Sequence, residues 1–244
     1  MPHQAHVTIL GVRVDSVTYE EALTRMEEFI SSGEAHHVVT VNAEFIMAAR
    51  ADAHFAQILR VAHLALPDGQ GLVWAARILG TPLKERVTGV DTVIRMAALA
   101  AEKGYRIYLL GAADGVAQAA ADQLRHRFAN LLVVGTYPGS PAPESEGEIL
   151  NLIWEARPDM LFVAYGAPQQ EEWIHRNLTP LGVPVAMGVG GAFDFISGQA
   201  RRAPRWLQRL GLEWLHRLFC QPWRWRRMLA LPRFGWLVVR SRLG

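Results

Sequence analysis

The chain has 244 residues, half of them apolar and a fifth charged, which excludes a disordered chain and suffices for one sizeable α/β domain. Its one cysteine, Cys220, excludes an internal disulfide, and no apolar run approaches the roughly 18 residues of a transmembrane helix. The net charge of +2 conceals an asymmetry, because residues 199–244 carry eleven arginines and one acid whereas residues 1–198 carry 14 bases and 22 acids.

Short apolar runs alternate with amphipathic stretches through the first 198 residues. The apolar runs predict strands at Val7–Val12, His37–Val41, Leu64–Leu66, Arg106–Gly111, Leu131–Gly135, Met160–Tyr165 and Pro184–Val189. The stretches between them predict helices at Ala22–Ile30, Ala43–Ala62, Gln70–Leu79, Asp91–Lys103, Gly115–Phe128, Glu144–Ala156 and Gln169–Thr179. Thr18 and Glu21 form a capping box before the first helix, and Asp114 is the expected cap of the fifth. This alternation predicts an α/β fold, a single Rossmann-like parallel sheet covered on both faces.

The pattern changes after Gly198, where no further strand is evident. Pro204–Phe219 and Pro222–Arg242 are predicted helices, each beginning with a proline. We therefore expect an α/β domain at residues 1–198 and a basic helical C-terminal appendage at residues 199–244. Five of the eight tryptophans lie in the appendage among its arginines, at positions Trp206, Trp214, Trp223, Trp225 and Trp236. This mixture is typical of contact with anionic lipid headgroups, so we expect membrane association in addition to packing on the body.

Polar or glycine-rich turns follow four of the predicted strands. They are Thr40–Asn42, Pro67–Gly71, Tyr165–Glu171 and Gly188–Asp194. Ligands of open parallel sheets bind beyond the carboxyl ends of the strands, where such turns would direct backbone N–H groups at a diphosphate. Local explanations also stay open: Asp68 could only cap a helix, and Gln170 and Glu171 could form a solvated first turn.

Several common motifs are missing from the sequence. There is no G-x-G-x-x-G, no P-loop, no D-x-D pair for holding a metal on a diphosphate, and no paired histidine spacing typical of metal ligands. The sequence therefore predicts a site with neither metal nor cofactor, in which arginines and helix N-termini neutralise the diphosphate.

Nine short motifs, spread over nearly the whole chain, carry a resemblance to one family. They are T-V-N-A-E (40–44), P-D-G-Q-G (67–71), E-R-V-T-G-V-D (85–91), Y-L-L-G (108–111), G-A-P-Q-Q-E (166–171), G-V-G-G-A-F-D (188–194), R-R-A-P-R-W (201–206), G-L-E-W-L-H-R-L (211–218) and P-R-F (232–234). On these motifs the chain resembles the WecG/TagA/CpsF glycosyltransferases, also called glycosyltransferase family 26. The resemblance implies metal-independent, inverting transfer from a UDP-sugar to a polyprenyl-diphosphate-linked sugar, in cell-surface polysaccharide or teichoic-acid biosynthesis.

The resemblance also implies roles for individual residues. Asp68 takes the position of the family's proposed general base, and Thr40 and Asn42 take those of its pocket residues. The appendage is expected to lend arginines to the donor diphosphate, namely Arg217, Arg224 and Arg227. The remaining residues that we expect to bind substrate are Arg86, Gly111, Gly166, Gln170, Glu171, Gly190 and Asp194.

The expected partners are the UDP-sugar, the lipid-linked acceptor and the cytoplasmic membrane surface, with no nucleic acid; a homo-oligomer is left open. The N-terminus lacks the pattern of a secretory signal, so we expect a cytoplasmic protein held peripherally at the inner face of the cell membrane. The donated sugar stays open among N-acetylmannosamine, its uronic acid and glucose. Two other functions stay open, an arginine/aromatic-tailed nucleic-acid-binding α/β protein and a catalytically inactive membrane adaptor.

Overall fold

The computed structural model of the chain describes residues 5–204, 207, 213–220 and 228–243, with the backbone alone at residues 216, 217, 219, 220 and 243. The strands of the described residues are β1 His6–Ile9, β2 Val12–Asp15, β3 His36–Val41, β4 Leu64–Pro67, β5 Arg106–Gly111, β6 Leu132–Tyr137, β7 Met160–Ala164 and β8 Val185–Gly188. The helices that precede residue 199 are α1 Tyr19–Ser32, α2 Ala43–Ala51, α3 Ala53–Val61, α4 Gln70–Ile78, α5 Gly89–Lys103, α6 Val116–Arg127, α7 Glu146–Ala156, α8 Gln169–Leu181 and α9 Ala192–Ile196. In the described residues that follow it, the helices are α10 Glu213–Cys220 and α11 Ala230–Leu243.

Six strands form one parallel sheet in the order β4-β3-β8-β7-β5-β6. Alternate residues of each strand point to opposite faces, and each face is covered by helices. On one face Val38, Leu64 and Leu109 pack with buried residues of α1, α5, α6 and α9. On the other, Val39 and Ala65 pack with α2, α3 and α4, while the β5–β7 half of the sheet packs with α7 and α8. The predicted α/β class with a parallel sheet and a helical C-terminal segment is confirmed.

The first predicted strand, Val7–Val12, is wrong as a single element. It is an antiparallel hairpin of β1 and β2, in which Ile9 pairs with Val12 across a turn at Leu10 and Gly11. Both turn residues have positive φ, 49° and 90°, as a two-residue turn between twisted strands requires. The hairpin is a sheet of its own and adds no strand to the parallel sheet.

Two helix predictions also differ from the structure. The single helix expected over Ala43–Ala62 is two helices, because Asp52 adopts an extended φ of −130° and caps α3 by accepting bonds from the N–H groups of His54 and Phe55. Asp114 is not the cap of α6, whose N-cap is Gly115 in the left-handed conformation. The capping box of Thr18 and Glu21 is present as predicted.

The side chains of Arg13 and Asp15 in β2 contact the outer side of strand β4. Asp15 Oδ2 accepts a hydrogen bond from Ala65 N–H at 2.8 Å, and Arg13 Nη2 donates to the carbonyls of Ala62 and His63. Asp15 is 2 % exposed, and Arg13 Nη2 holds its carboxylate at 3.0 Å. The hairpin is therefore joined to the sheet by side chains and not by a strand ladder.

The C-terminal helices lie close to the body. Phe234 and Val238 of α11 are buried in the same apolar cluster as residues of α2 and α4. The predicted helices Pro204–Phe219 and Pro222–Arg242 are described in part. They contain α10 and α11, and residues 205, 206, 208–212 and 221–227 lie outside the described residues. Within the ranges described, no helix is both long and apolar enough to cross a membrane. The boundary at residue 198 stays a prediction.

Candidate active site

A cavity of about 160 Å³ lies beyond the carboxyl ends of β3 and β4, close to the start of α5. The described C-terminal residues close one side of it. Its lining consists of Asn42, Ala43, Glu44, Asp68, Gly69, Gln70, Gly71, Arg86, Thr88, Val90, Arg202, Glu213, Trp214, Met228 and Leu231. Two of the four predicted turns, those after β3 and β4, meet here, as expected for adjacent parallel strands.

Asp68 directly follows β4 and is held by contacts at its backbone and its side chain. Its N–H donates to the carbonyl of Val41 at 2.9 Å, which ties the turn to the end of β3. Its Oδ2 accepts a hydrogen bond of 3.3 Å from the N–H of Gly89, the first residue of α5. The carboxylate therefore faces the N-terminal end of a helix, where the helix dipole is positive. Asp68 is therefore an oriented carboxylate on a cavity wall.

Thr40 lies in strand β3 and Asn42 directly follows it, but their side chains make different contacts. Asn42 Oδ1 caps α2 by accepting from Phe45 N–H at 3.1 Å, and the residue lines the cavity. Thr40 is buried, and its hydroxyl donates to the carbonyl of Gly188 at 3.2 Å. Thr40 does not line the cavity. Its hydrogen bond with Gly188 instead joins β3 to the end of β8.

Two arginines bring positive charge to the cavity, and both are paired. Arg86 Nη2 lies 2.7 Å from Glu213 Oε2, and Arg86 Nε donates to the backbone carbonyl of Asp68 at 3.4 Å. Arg202 binds Asp91 with both terminal nitrogens, at 2.6 and 2.9 Å. Burial alone would raise the pKa of Asp91, but hydrogen bonds from Arg202 and Thr88 and the charge of Arg202 outweigh it and hold the pKa at about 2. Both arginines are thus held by carboxylates and line the same cavity as Asp68.

The turns after β7 and β8 do not line this cavity, contrary to expectation. Gln170 is 1 % and Glu171 0 % exposed, so neither is the solvated first turn of a helix. Glu171 Oε2 lies 2.6 Å from His37 Nε2, and Glu171 Oε1 accepts from Gln170 Nε2 at 2.8 Å. Gln170 Oε1 in turn accepts from the N–H groups of Gly166 and Gly190. These side chains form a buried network that joins the two glycine turns.

Two further predicted site residues, Gly111 and Asp194, make contacts that hold the fold together. Gly111 ends β5 with φ of 99°, and a Cβ at this position would lie 2.8 Å from the backbone carbon of Ala164. Asp194 lies in the short helix α9, where its carbonyl accepts from Ala200 N–H. Neither lines the cavity. The side chains of Arg217, Arg224 and Arg227 lie outside the described residues.

Sequence reasoning did not assign Thr88, Asp91 and Arg202 to the site. All three stand in motifs that carry the family resemblance, E-R-V-T-G-V-D and R-R-A-P-R-W, so the signal was present. Their roles were hidden because Asp91 and Arg202 meet across 111 positions of sequence. As regards metals, the residues described contain no group of three or more His, Cys, Asp or Glu side chains suited to holding an ion.

Comparisons with known proteins point to one family. Residues 7–244 match the glycosyl transferase WecG/TagA/CpsF family. A Bacillus subtilis (strain 168) N-acetylglucosaminyldiphosphoundecaprenol N-acetyl-β-D-mannosaminyltransferase is 35% identical over 228 residues, covering 89% of this chain and 88% of its own. Proteins of the same name from Bacillus spizizenii and from Staphylococcus aureus (strain NCTC 8325) are 33% and 29% identical, over 87% and 98% of this chain and 82% and 94% of theirs.

Proposed function

This chain belongs to the WecG/TagA/CpsF family of glycosyl transferases, and from that membership we propose that it transfers N-acetylmannosamine from a UDP-sugar to a polyprenyl-diphosphate-linked N-acetylglucosamine. The chain is a glycosyltransferase whose relatives act on undecaprenyl-linked substrates. The donor nucleotide, the sugar and the acceptor are the proposed part. Among the three sugars left open by the sequence, the names of the relatives favour N-acetylmannosamine.

The observation that carries the proposal is the carboxylate of Asp68 in a cavity that also holds Arg86 and Arg202. Inverting transfer requires a base that removes the proton of the acceptor hydroxyl while negative charge develops on the departing UDP. One carboxylate within hydrogen-bond reach supplies the base. Fixed cations and helix N-termini stabilise the leaving group without a metal. Asp68 is the proposed base, and Asn42 and the N-terminus of α4 lie beside it.

The donor diphosphate is proposed to bind on the arginine side of the cavity. Arg86 contributes one cation there, and Arg217, Arg224 and Arg227 of the appendage are proposed to contribute others. The exposed face of α11 is proposed to rest on the membrane surface that holds the acceptor. It presents Trp236, which is 59% exposed with the guanidinium of Arg240 at 5.3 Å from its ring, together with Val239 and Arg233.

A UDP-release assay with a panel of UDP-sugars and a short-chain polyprenyl-diphosphate-N-acetylglucosamine acceptor tests the reaction. We expect UDP-N-acetylmannosamine to be turned over and UDP-glucose and the uronic acid to be poor donors. Preference for another donor would reject the sugar, and release without any acceptor product would reject the transfer.

Replacement of Asp68 by asparagine tests the base. Asparagine has nearly the same shape but cannot take a proton, so kcat should fall by about 10²–10⁴-fold. Asp52→Asn is the matched control, because asparagine caps a helix as well as aspartate does and Asp52 is exposed at the start of α3. If Asp68→Asn kept more than about a third of wild-type turnover with saturating substrates, the assignment would be wrong.

A further inference from the structure

Four charged side chains form a continuous series of ion pairs, and three of them, Arg86, Arg202 and Glu213, line the cavity. Glu213, the first residue of α10, contacts Arg86 at 2.7 Å through Oε2, while its Oε1 lies 3.7 Å from Nε of Arg202. Arg202 binds Asp91 through two short hydrogen bonds. The C-terminal segment thus contributes one cation and one anion, and the body contributes the matching anion and cation.

This series reaches Asp68 from two directions. At one end, Arg86 Nε donates to the Asp68 carbonyl at 3.4 Å. At the other, Asp91 Oδ2 accepts from the hydroxyl of Thr88 at 2.8 Å, and Thr88 caps the helix whose first N–H, that of Gly89, donates to Asp68 Oδ2. The C-terminal segment is therefore connected to both the backbone and the carboxylate of Asp68.

The ion pairs of this series are less exposed and better oriented than an ordinary surface ion pair. Its side chains are only 18–34% exposed, and the pair of Arg202 and Asp91 is bidentate. Bidentate arginine–carboxylate pairs fix orientation as well as distance, whereas isolated exposed pairs contribute little. Tyr19 adds a further support, because its hydroxyl accepts from Thr88 N–H at 2.9 Å.

We propose that Arg202 and Glu213 are positioning residues, through which the docked C-terminal segment fixes Arg86 and the turn at residues 88–91 and so orients Asp68 for proton removal. The inference rests on the proposed role of Asp68 as base. It differs from a role of the appendage in lipid binding or in contacting the donor, because neither residue needs to touch substrate or membrane.

The first test is steady-state UDP release by the full chain with Glu213→Gln and with Arg202→Lys. Glutamine removes only the charge, and lysine keeps the charge but loses the bidentate geometry. We expect kcat to fall at least about tenfold in each variant, with binding to anionic liposomes unchanged. Donor KM should change by less than about threefold in Arg202→Lys, which leaves the pair of Arg86 and Glu213 in place. Glu146→Gln is the control, because it breaks a comparable pair with Arg176 on α7 and α8 and should leave kcat unchanged.

A double-mutant cycle separates positioning from general stability. If Glu213 acts through Arg86, Glu213→Gln should lower kcat by less than about twofold once Arg86 has been replaced by alanine. Independent structural effects would instead multiply. Wild-type kcat in Glu213→Gln, or multiplication in the cycle, would overturn the proposal.

Hydrogen exchange tests the proposed positioning without a measurement of turnover. In the substrate-free full chain, Glu213→Gln and Arg202→Lys should speed exchange of the amides in residues 86–91 at least about threefold, whereas Glu146→Gln should not. Unchanged exchange would overturn the proposed positioning, whatever the assay shows. A wild-type protein without turnover, but with the expected exchange, would reject the proposed function and keep the structural coupling.

Discussion

Replacing Glu171 by alanine should destabilise the protein strongly while leaving its affinity for the donor nearly unchanged. Glu171 is completely buried, and its two carboxylate oxygens contact His37 Nε2 at 2.6 Å and Gln170 Nε2 at 2.8 Å. Alanine would leave both nitrogens in the interior without these partners. The same change would loosen Gln170, whose Oε1 holds the N–H groups of Gly166 and Gly190.

The expected size follows from the burial of the pair. Removing one partner of a buried, hydrogen-bonded pair typically costs about 3–5 kcal/mol. The unfolding entropy is about 2.1 cal/mol/K per residue near 60 °C, which gives roughly 0.5 kcal/mol/K for a chain of this size. The melting temperature should therefore fall by about 6–10 °C.

Differential scanning calorimetry, combined with donor KM measured well below the melting transition, checks this expectation. Glu172→Ala serves as the control, because Glu172 lies in the same first turn of α8 but is only partly buried. A melting temperature within about 2 °C of wild type, together with a tenfold rise in donor KM, would show that Glu171 contacts substrate and refute the structural assignment.

Three further predictions concern stability and chemistry. Gly188→Ala should lower the melting temperature measured by calorimetry, because the added Cβ would lie 2.1 Å from Glu171 Oε1. Gly147→Ala in α7 is the control: its Cβ would meet nothing within 4 Å, so the change should be neutral or stabilising. The pKa of Asp91 is about 2 in the folded chain, below its ordinary 3.8, so its stabilising effect is present above about pH 4 and lost as the pH falls through 2. The urea midpoints of wild type and Asp91→Asn should therefore differ at pH 6 and converge toward pH 2, and a constant difference would contradict this. UDP release should survive excess EDTA, and loss that is restored by Mg²⁺ or Mn²⁺ would reject metal-independent transfer.

The parallel sheet could be predicted because its signal is local. Each central strand is a short apolar run, and such runs are typical of strands covered on both faces. The prediction of one strand at Val7–Val12 was wrong because the apolar residues continue across the turn at Leu10 and Gly11, and leucine is seldom found with positive φ. Asp52 was overlooked for a similar reason, since one capping residue separates two helices that share an apolar pattern.

The placement of polar residues was predictable only where topology alone decides it. Asn42 and Asp68 follow neighbouring parallel strands, so the rule for strand ends places them together. Glu171 follows the same rule in sequence, but it is drawn inward by His37, which lies 134 positions away. The pairing of Glu213 with Arg86 likewise spans 127 positions. Contacts of this kind depend on tertiary packing and leave no periodic pattern in the sequence.

The attachment of the hairpin to β4 has a consequence for the solubility of the protein. β4 lies at the edge of the sheet, and an edge strand with unpaired N–H and C=O groups is a template for pairing with another chain. Asp15 occupies the N–H of Ala65, and Arg13 occupies the carbonyls of Ala62 and His63 just before the strand, which leaves an incoming strand fewer groups to pair with. Because these partners are side chains and not a further strand, they pair with backbone groups of the edge strand without creating a new strand edge. Two residues of a small hairpin thereby make the β4 edge of the sheet a poorer template for pairing with another chain.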